Sequence, residues 1–267
     1  VTAGDPTDAE RPPWWTLAAI GLAAGVLAGF FGVGGGMVIV PALAIFCGRD
    51  QRQAVGTSVM AIGPLAVSGT VGYLVAGQID FLVALFLAVG TMIGAWLGAA
   101  LLDRAPLAVL RWLYAALALA TAVRFLAAPG IGSGTLNHDL TALLLLIPVG
   151  VPIGILAGLT GIGGSTAMIP VMQLGFGLGA AAAKGTSLLV VLPSSLLGAW
   201  RNARNGNGSV RDAAWIGLAG IVTAVATSFV SVALDPRLSD LLFGGLLIVV
   251  AIRTVWADLR RMLGRSG

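Results

Sequence analysis

Residues 30–41 read FFGVGGGMVIVP, in the middle of a stretch from Trp14 to Gly48 that contains no charged residue. Gly32, Gly34, Gly35 and Gly36 occupy four of five consecutive positions there. Each glycine in a helix interior costs about 0.5–1 kcal/mol relative to alanine. A hydrocarbon-length segment with four of them reads as a helix deliberately interrupted.

Working outward, further charge-free runs cover 54–79, 81–102, 140–183 and 213–234. Each is long enough to cross about 30 Å of hydrocarbon as a helix. They are rich in Leu, Ala, Val and Ile without strict alternation, so they read as helices and not as barrel strands. The chain of 267 residues is 58% hydrophobic and 10% charged, against about a quarter charged in soluble domains. The expected class is an all-α polytopic membrane protein, multi-pass in a cytoplasmic (inner) membrane.

The formal charge of +4 is scattered through short connectors and the C-terminal stretch, without aromatic–basic interleaving, so no nucleic-acid partner is expected. A single cysteine, Cys47, excludes an internal disulfide and offers no metal cluster; it reads as a small apolar residue near a helix end. His138 is the one histidine, in a polar connector. The opening VTAGDPTDAERPP is acidic and does not resemble a cleavable signal peptide, with Trp14 and Trp15 placed as interface anchors. Connectors of about a dozen residues or fewer argue against a fused ATPase, a receptor kinase or any soluble enzyme, and no catalytic residue, metal or cofactor is expected.

The chain repeats itself at an offset of 129. GLAAGVLAGFFGVGGGMVIVP (21–41) falls on GVPIGILAGLTGIGGSTAMIP (150–170), and AVGTSVMAIGP (54–64) on AKGTSLLVVLP (183–193). Sixteen of the 49 positions in 21–69 are identical at that offset, where biased composition alone gives about five. The repeats are placed at 14–127 and 141–258, joined by the connector 128–140. Each holds a glycine-broken segment (14–47, 141–176) and then three helices, at 53–76, 81–102 and 106–127, and at 181–200, 213–234 and 239–258. This makes about eight membrane-spanning segments in all.

Loop charge supports inversion of the two repeats. Loops 48–53, 103–106 and 201–212 and the C-terminal stretch lean basic and belong inside. The turns with Asp80 and with Asp235, Arg237 and Asp240 lean acidic and belong outside. Equivalent loops then fall on opposite sides, which requires each broken segment to contribute an even number of crossings. Eight simple crossings would instead put the loop with Arg201, Arg204 and Arg211 opposite loop 48–53.

Inverted repeats with interrupted helices are a transporter architecture with the substrate site near the midplane. A helix that restarts inside the membrane presents backbone N–H groups and a positive dipole end, which suit an anion. The candidate binding residues are therefore Gly32, Gly34, Gly35 and Gly36 with Gly161, Gly163, Gly164 and Ser165. Ser165 and Thr166 are expected to cap the second restart. The alternative for glycines is close helix packing, which is the reading taken for Gly21, Gly25 and Gly29 and for Gly90, Gly94 and Gly98. Thr57, Ser58, Thr186 and Ser187 repeat as Gly-Thr-Ser at the start of apolar helices, where their hydroxyls either donate to substrate or bond back to the helix. Lys184, whose counterpart is Val55, either snorkels to headgroups or draws an anion to the site. No carboxylate falls deep inside a charge-free run, which argues against a cation pump. The partners expected are the lipid bilayer and a small anionic substrate.

GVLAGFFGVGGGMVIVPAL (25–43), its echo GILAGLTGIGGSTAMIPVM (154–172), and the AVGTS and AKGTS segments resemble the sulfite exporter TauE/SafE family of bacterial and archaeal membrane proteins. The resemblance runs from about 14 to 258. It implies a multi-helix secondary transporter, an exporter of sulfite, sulfonates or related organosulfur anions. It also implies that the glycines above, with Thr57, Ser58, Thr186 and Ser187 beside them, surround the pathway. Ser165 stands where the first motif has Gly36, which makes the two half-sites chemically unequal. An anion-selective channel, or a carrier of an unrelated small metabolite, is the alternative function.

Overall fold

The computed structural model describes residues 12–101, 119–120, 122–123, 125–127, 139–160 and 164–263. All of the long elements are helices. We number them α1 (Trp14–Phe31), α2 (Gly36–Phe46), α3 (Gln51–Val75), α4 (Phe81–Leu101), α5 (Leu140–Thr160), α6 (Ser165–Pro170), α7 (Ala180–Arg204), α8 (Val210–Ala233) and α9 (Pro236–Leu263). The third helix expected in the first repeat is seen only as helical residues within 119–127; the remainder of 106–127 lies outside the described residues. Five of the helices, α1, α3, α5, α7 and α8, are long and apolar enough to cross a membrane. With their apolar side chains turned outward, among them Val67, Leu144, Leu196, Leu218 and Val222, they make an all-α, multi-spanning membrane protein.

Local chemistry sets the helix ends. Asp50 caps α3 by accepting from the Gln53 N–H at 2.8 Å, and Ser209 caps α8 by accepting from the Asp212 N–H at 3.1 Å. Pro236 opens α9, where its missing N–H costs nothing, and Asp235 accepts from the N–H groups of Arg237 and Leu238. The glycine break is real. α1 ends at Gly32, a left-handed cap whose N–H donates to Ala28 O at 2.9 Å, and α2 begins after Gly35, also left-handed. Helix α6 restarts from Gly164 and passes at Pro170 into a π-helical turn, Val171–Gly175. The prolines Pro41, Pro64, Pro148, Pro152, Pro170 and Pro193 all lie inside helices. They are tolerated there because neighbouring helices re-satisfy the freed backbone groups.

Two seams of close backbone contact organise the packing. Gly21, Gly25 and Gly29 of α1 abut the carbonyls of Ile216, Gly220 and Ala224 on α8. Gly90 and Gly94 of α4 abut the carbonyls of Ile147 and Val151 on α5, while Gly150 and Gly154 abut those of Leu87 and Thr91. In both seams numbering rises together, so the paired helices are parallel. With no hydrophobic drive between helices in lipid, such small-residue faces bring backbones close enough for dispersion and polar contacts. Thr223 Oγ1 uses that closeness to donate to Leu22 O across the first seam at 2.9 Å. The packing reading of these glycines is the correct one.

Helices α3 and α7 form the centre and run antiparallel. Gly72 on α3 meets Ser228 on α8, and Gly217 on α8 meets Pro64 on α3, so α3 and α8 are parallel. The chain leaves and re-enters the α1–α2 unit at one end of the molecule. Trp14 stacks beside Trp215 with ring centroids 5.9 Å apart, and Arg49 pairs with Asp212 in the first turn of α8 at 2.8 Å. We call this the Arg49 end and the opposite one the Lys184 end.

Candidate functional site

At the break, Val33 and Gly34 are buried. A Cβ on Gly34 would lie 3.3 Å from Ile62 and 4.0 Å from Val191, near the middles of α3 and α7. A helix of about 25 residues spans about 37 Å, so the break sits deep in the bundle and not at its rim.

The carbonyl side of the break is closed by protein. Tyr73 Oη donates to Gly29 O at 2.7 Å, Ser231 Oγ to Phe30 O at 2.7 Å, and Ser187 Oγ to Gly32 O at 2.9 Å. Lys184 Nζ donates to Phe30 O at 3.1 Å, Ser231 Oγ at 3.2 Å and Ser239 Oγ at 2.7 Å. The ammonium also lies 5.5 and 5.7 Å from the Phe30 and Phe31 ring centroids. A cation at the C-terminal end of α1 is favourable, because the helix dipole is negative there. Lys184 therefore does not snorkel: it is 1% exposed and its three protons are engaged within the protein.

The N–H side of the break is different. Gly35 has no side chain to offer as a cap, and Val38 and Ile39 N–H both return to Gly35 O. The first amides of α2 are those for which a helix supplies no acceptor of its own. Gly36 is the first residue of α2 and is buried.

The Gly-Thr-Ser positions are buried but separate. Thr57 Oγ1 accepts from the Ser209 N–H at 2.9 Å, at the Arg49 end. Thr186 Oγ1 accepts from the Asp80 N–H at 3.0 Å, at the Lys184 end. Beside them, Gly56 packs against Asn207 O and Gly185 against Gln78 O. Tyr73 touches Gly185, so the two threonines are about 24 Å apart along α3 at 1.5 Å per residue. Each threonine holds the connector that follows the opposite helix of the α3–α7 pair. Ser58 is fully buried, and Ser187 joins Gly32 and Lys184 at the break.

In the second broken segment, Gly161 and Gly163 lie outside the described residues. Gly164 occupies the cap position of α6 with no side-chain bond, and a Cβ there would meet Ile153, Met168 and Ala157. Ser165 is one residue too late to be the cap that the sequence suggests; its Oγ is buried without a hydrogen-bond partner among the described residues.

Several participants were not anticipated. Asp240, expected in an exposed acidic turn, is 2% exposed, with Gln173 Nε2 3.4 Å from its Oδ1. Asp212 is buried against Arg49, the latter about a quarter exposed. Nearby, burial pushes the Cys47 thiol above its ordinary pKa, and Asp212 adds to the rise. A groove of about 350 Å³ opens at the Arg49 end between Met60, Pro64, Trp200 and Val210, and none of its lining residues is a candidate site residue.

Interrupted helices meeting inside an apolar-coated bundle define a polytopic helical membrane protein with its polar machinery indoors. The chain belongs to the sulfite exporter TauE/SafE family, whose model matches residues 2–125 and 146–266. Probable membrane transporter protein YdhB of Bacillus subtilis (strain 168) is 41% identical over 92 residues, 34% of this chain and 38% of that protein. A probable membrane transporter protein of Xylella fastidiosa (strain 9a5c) is 35% identical over 86 residues, 32% of this chain and 33% of that one. Probable membrane transporter protein YunE of Bacillus subtilis (strain 168) is 28% identical over 205 residues, 68% of this chain and 75% of that protein. The chain thus spans little more than a third of the first of these relatives and a third of the second. No solved structure matches it.

Proposed function

We infer that the protein is a secondary transporter exporting small anions, such as sulfite, sulfonates or related organosulfur compounds, across the cytoplasmic membrane of a bacterium. The observation that carries this reading is the restart of α2 at Gly35, deep in the bundle between Ile62 and Val191. There the backbone offers N–H groups and a positive helix end. Gly34, Gly35 and Gly36 form the seat, with Ser58 buried one helical turn before Ile62 on α3. Gly32, Ser187 and Lys184 hold the carbonyl half of the break in place. Thr57 and Thr186 act through the connectors they hold. Gly161, Gly163, Gly164 and Ser165 belong to the second half-site.

The architecture supports two inverted repeats, 14–127 and 141–258, joined through 128–140. Helices α3 and α7 start 129 residues apart, as do α2 and α6 and as the capping residues Asp80 and Ser209 are spaced. The pairs Gly21–Ile216 and Gly150–Leu87, and Gly25–Gly220 and Gly154–Thr91, exchange under the same shift. Equivalent helices that run antiparallel are what inversion requires. The return of α1–α2 to the Arg49 end makes that unit an even contributor to the crossings. Arg49, Arg52, Arg201, Arg204 and Arg211 gather at the Arg49 end, which supports a cytoplasmic assignment for it. The two broken segments, taken with the six segments expected at 53–76, 81–102, 106–127, 181–200, 213–234 and 239–258, make about eight membrane segments.

The test is flux into liposomes containing the purified protein, with sulfite, sulfoacetate, taurine, thiosulfate and small carboxylates offered in turn. Saturable, mutually competing flux of the sulfur oxyanions is expected. Continuous conductance without saturation would make the protein a channel, and uptake of a neutral or cationic solute alone would overturn the anion seat.

A further inference from the structure

The Lys184 end holds a charged cluster that an anion seat does not require. Lys184 Nζ lies in a nest of oxygens, Phe30 O, Ser231 Oγ and Ser239 Oγ. Asp240 is buried and directly follows Ser239, the residue whose hydroxyl holds Lys184 Nζ at 2.7 Å. Gln173 bridges the π-helical turn to α9 through Nε2, 3.4 Å from Asp240 Oδ1. Its other amide atom, Oε1, is buried without a hydrogen-bond partner among the described residues. A buried acceptor is costly to leave unmade, and the group beside it becomes a donor on taking up a proton. Turning the Gln173 amide over lets Oε1 accept from a protonated Asp240 carboxyl, so the same pair of side chains serves two protonation states.

We propose that Lys184 and Asp240, with Gln173 as the responding amide, form a proton-binding site whose occupancy tunes the protein's affinity for anions. This rests on the transporter reading above. In the step, a proton leaves water at the Lys184 end and an O–H bond forms on Asp240. No electron transfer or leaving group is involved. The cluster goes from a neutral pair to a net charge of +1. The negative charge lost is the one near Lys184, whose ammonium holds Phe30 O two residues before Gly32, so the broken helix becomes more favourable to an anion. Among the described residues, other titratable groups at the Lys184 end include Tyr73 of α3, engaged with Gly29 O, and Asp80 of the α3–α4 connector, whose carboxylate accepts from the Val83 N–H. At the start of α9, Asp235 caps the helix next to Arg237.

Two measurements on the full reconstituted chain test this. Methanesulfonate is the probe, because its own acid stays ionised throughout. Its affinity should rise by up to about tenfold per pH unit of acidification across the titration, the slope for one linked proton. Asp240→Asn, an isosteric stand-in for the protonated carboxyl, should bind tightly with no pH slope. An unchanged slope in that variant overturns the proposal. The second measurement needs no anion. Infrared spectra should show a protonated-carboxyl band growing in the wild type as pH falls, absent from Asp240→Asn and shifted in Asp240→Glu. A band indifferent to both substitutions overturns the proton site. A band that behaves as expected without methanesulfonate binding upholds the proton site and counts against the anion reading alone.

Discussion

Gly32 and Gly34 share a left-handed backbone, each at φ +71°, but differ in what surrounds them. An alanine at either position carries the penalty of that conformation, about 1–2 kcal/mol for an L residue. At Gly34 the new methyl meets only the end of the Ile62 side chain, at 3.3 Å, which yields by a few tenths of an ångström. At Gly32 it would lie 2.9 Å from Cα, Cβ and O of Lys184, so α7 itself must shift. Overpacking of this kind adds about 1–3 kcal/mol. Gly34→Ala should therefore lose about 1–2 kcal/mol, and Gly32→Ala about 2–5 kcal/mol. Thermal unfolding of the two detergent-solubilised variants, followed by tryptophan fluorescence, measures the difference. Anion flux should order them differently: Gly34→Ala, folded and close to wild-type stability, should lose most of its transport because the methyl sits in the seat. Equal melting of the two variants would refute the contact argument. Wild-type flux in Gly34→Ala would refute the seat and return that glycine to a purely conformational role.

Removing the hydroxyl acceptor in Thr186→Val leaves the Asp80 N–H unsatisfied, and Thr57→Val does the same to Ser209. Each should cost about 1–3 kcal/mol, with Thr→Ser at either site largely sparing stability in the same unfolding assay. Asp212→Asn breaks the pair with Arg49, whose partial exposure screens it, so a loss of about 1–2 kcal/mol is expected, less than for a fully buried pair. Cys47 provides an independent readout. Its raised pKa leaves less thiolate at neutral pH than an ordinary cysteine has, so maleimide labelling should be slow and should speed up as pH rises. Asp212→Asn should quicken that labelling, because Asp212 is the second cause of the rise after burial.

The helices were readable because lipid makes the pattern simple. Expected segments at 53–76 and 181–200 became α3, Gln51–Val75, and α7, Ala180–Arg204, and the interruption at Gly32–Gly36 lies where the glycines stand. Gly21, Gly25 and Gly29, with Gly90 and Gly94, could be assigned to packing because a spacing of four marks one helix face; Gly98 lies outside the residues whose surroundings are described. The polar interior was not readable for the opposite reason. Asp212 and Ser239 sit in first turns of helices and Asp240 directly follows one, where charge is ordinarily solvated, and nothing local says that a neighbouring helix covers them. Lys184 meets Phe30 across 154 positions of sequence, and Thr57 meets Ser209 across 152. Only tertiary packing creates such contacts. Asp240 lies outside the charge-free runs, and its burial comes from packing that those runs do not reveal. The cap expected at Ser165 falls on Gly164 because the chain turns one residue earlier, and the π-helical turn after Pro170 left no pattern to detect.

The two central helices are riveted together at both ends. Thr57 fastens α3 to the connector that leaves α7, and Thr186 fastens α7 to the connector that leaves α3. A pair joined this way resists sliding and scissoring, since relief at one rivet loads the other. It behaves as an axle more than as a jaw. Motion that opens the bundle first to one face and then to the other must then come from the hairpins hung on that axle, α1–α2 and α5–α6. In the first of them, Gly32, Gly34 and Gly35 lie where the chain turns back.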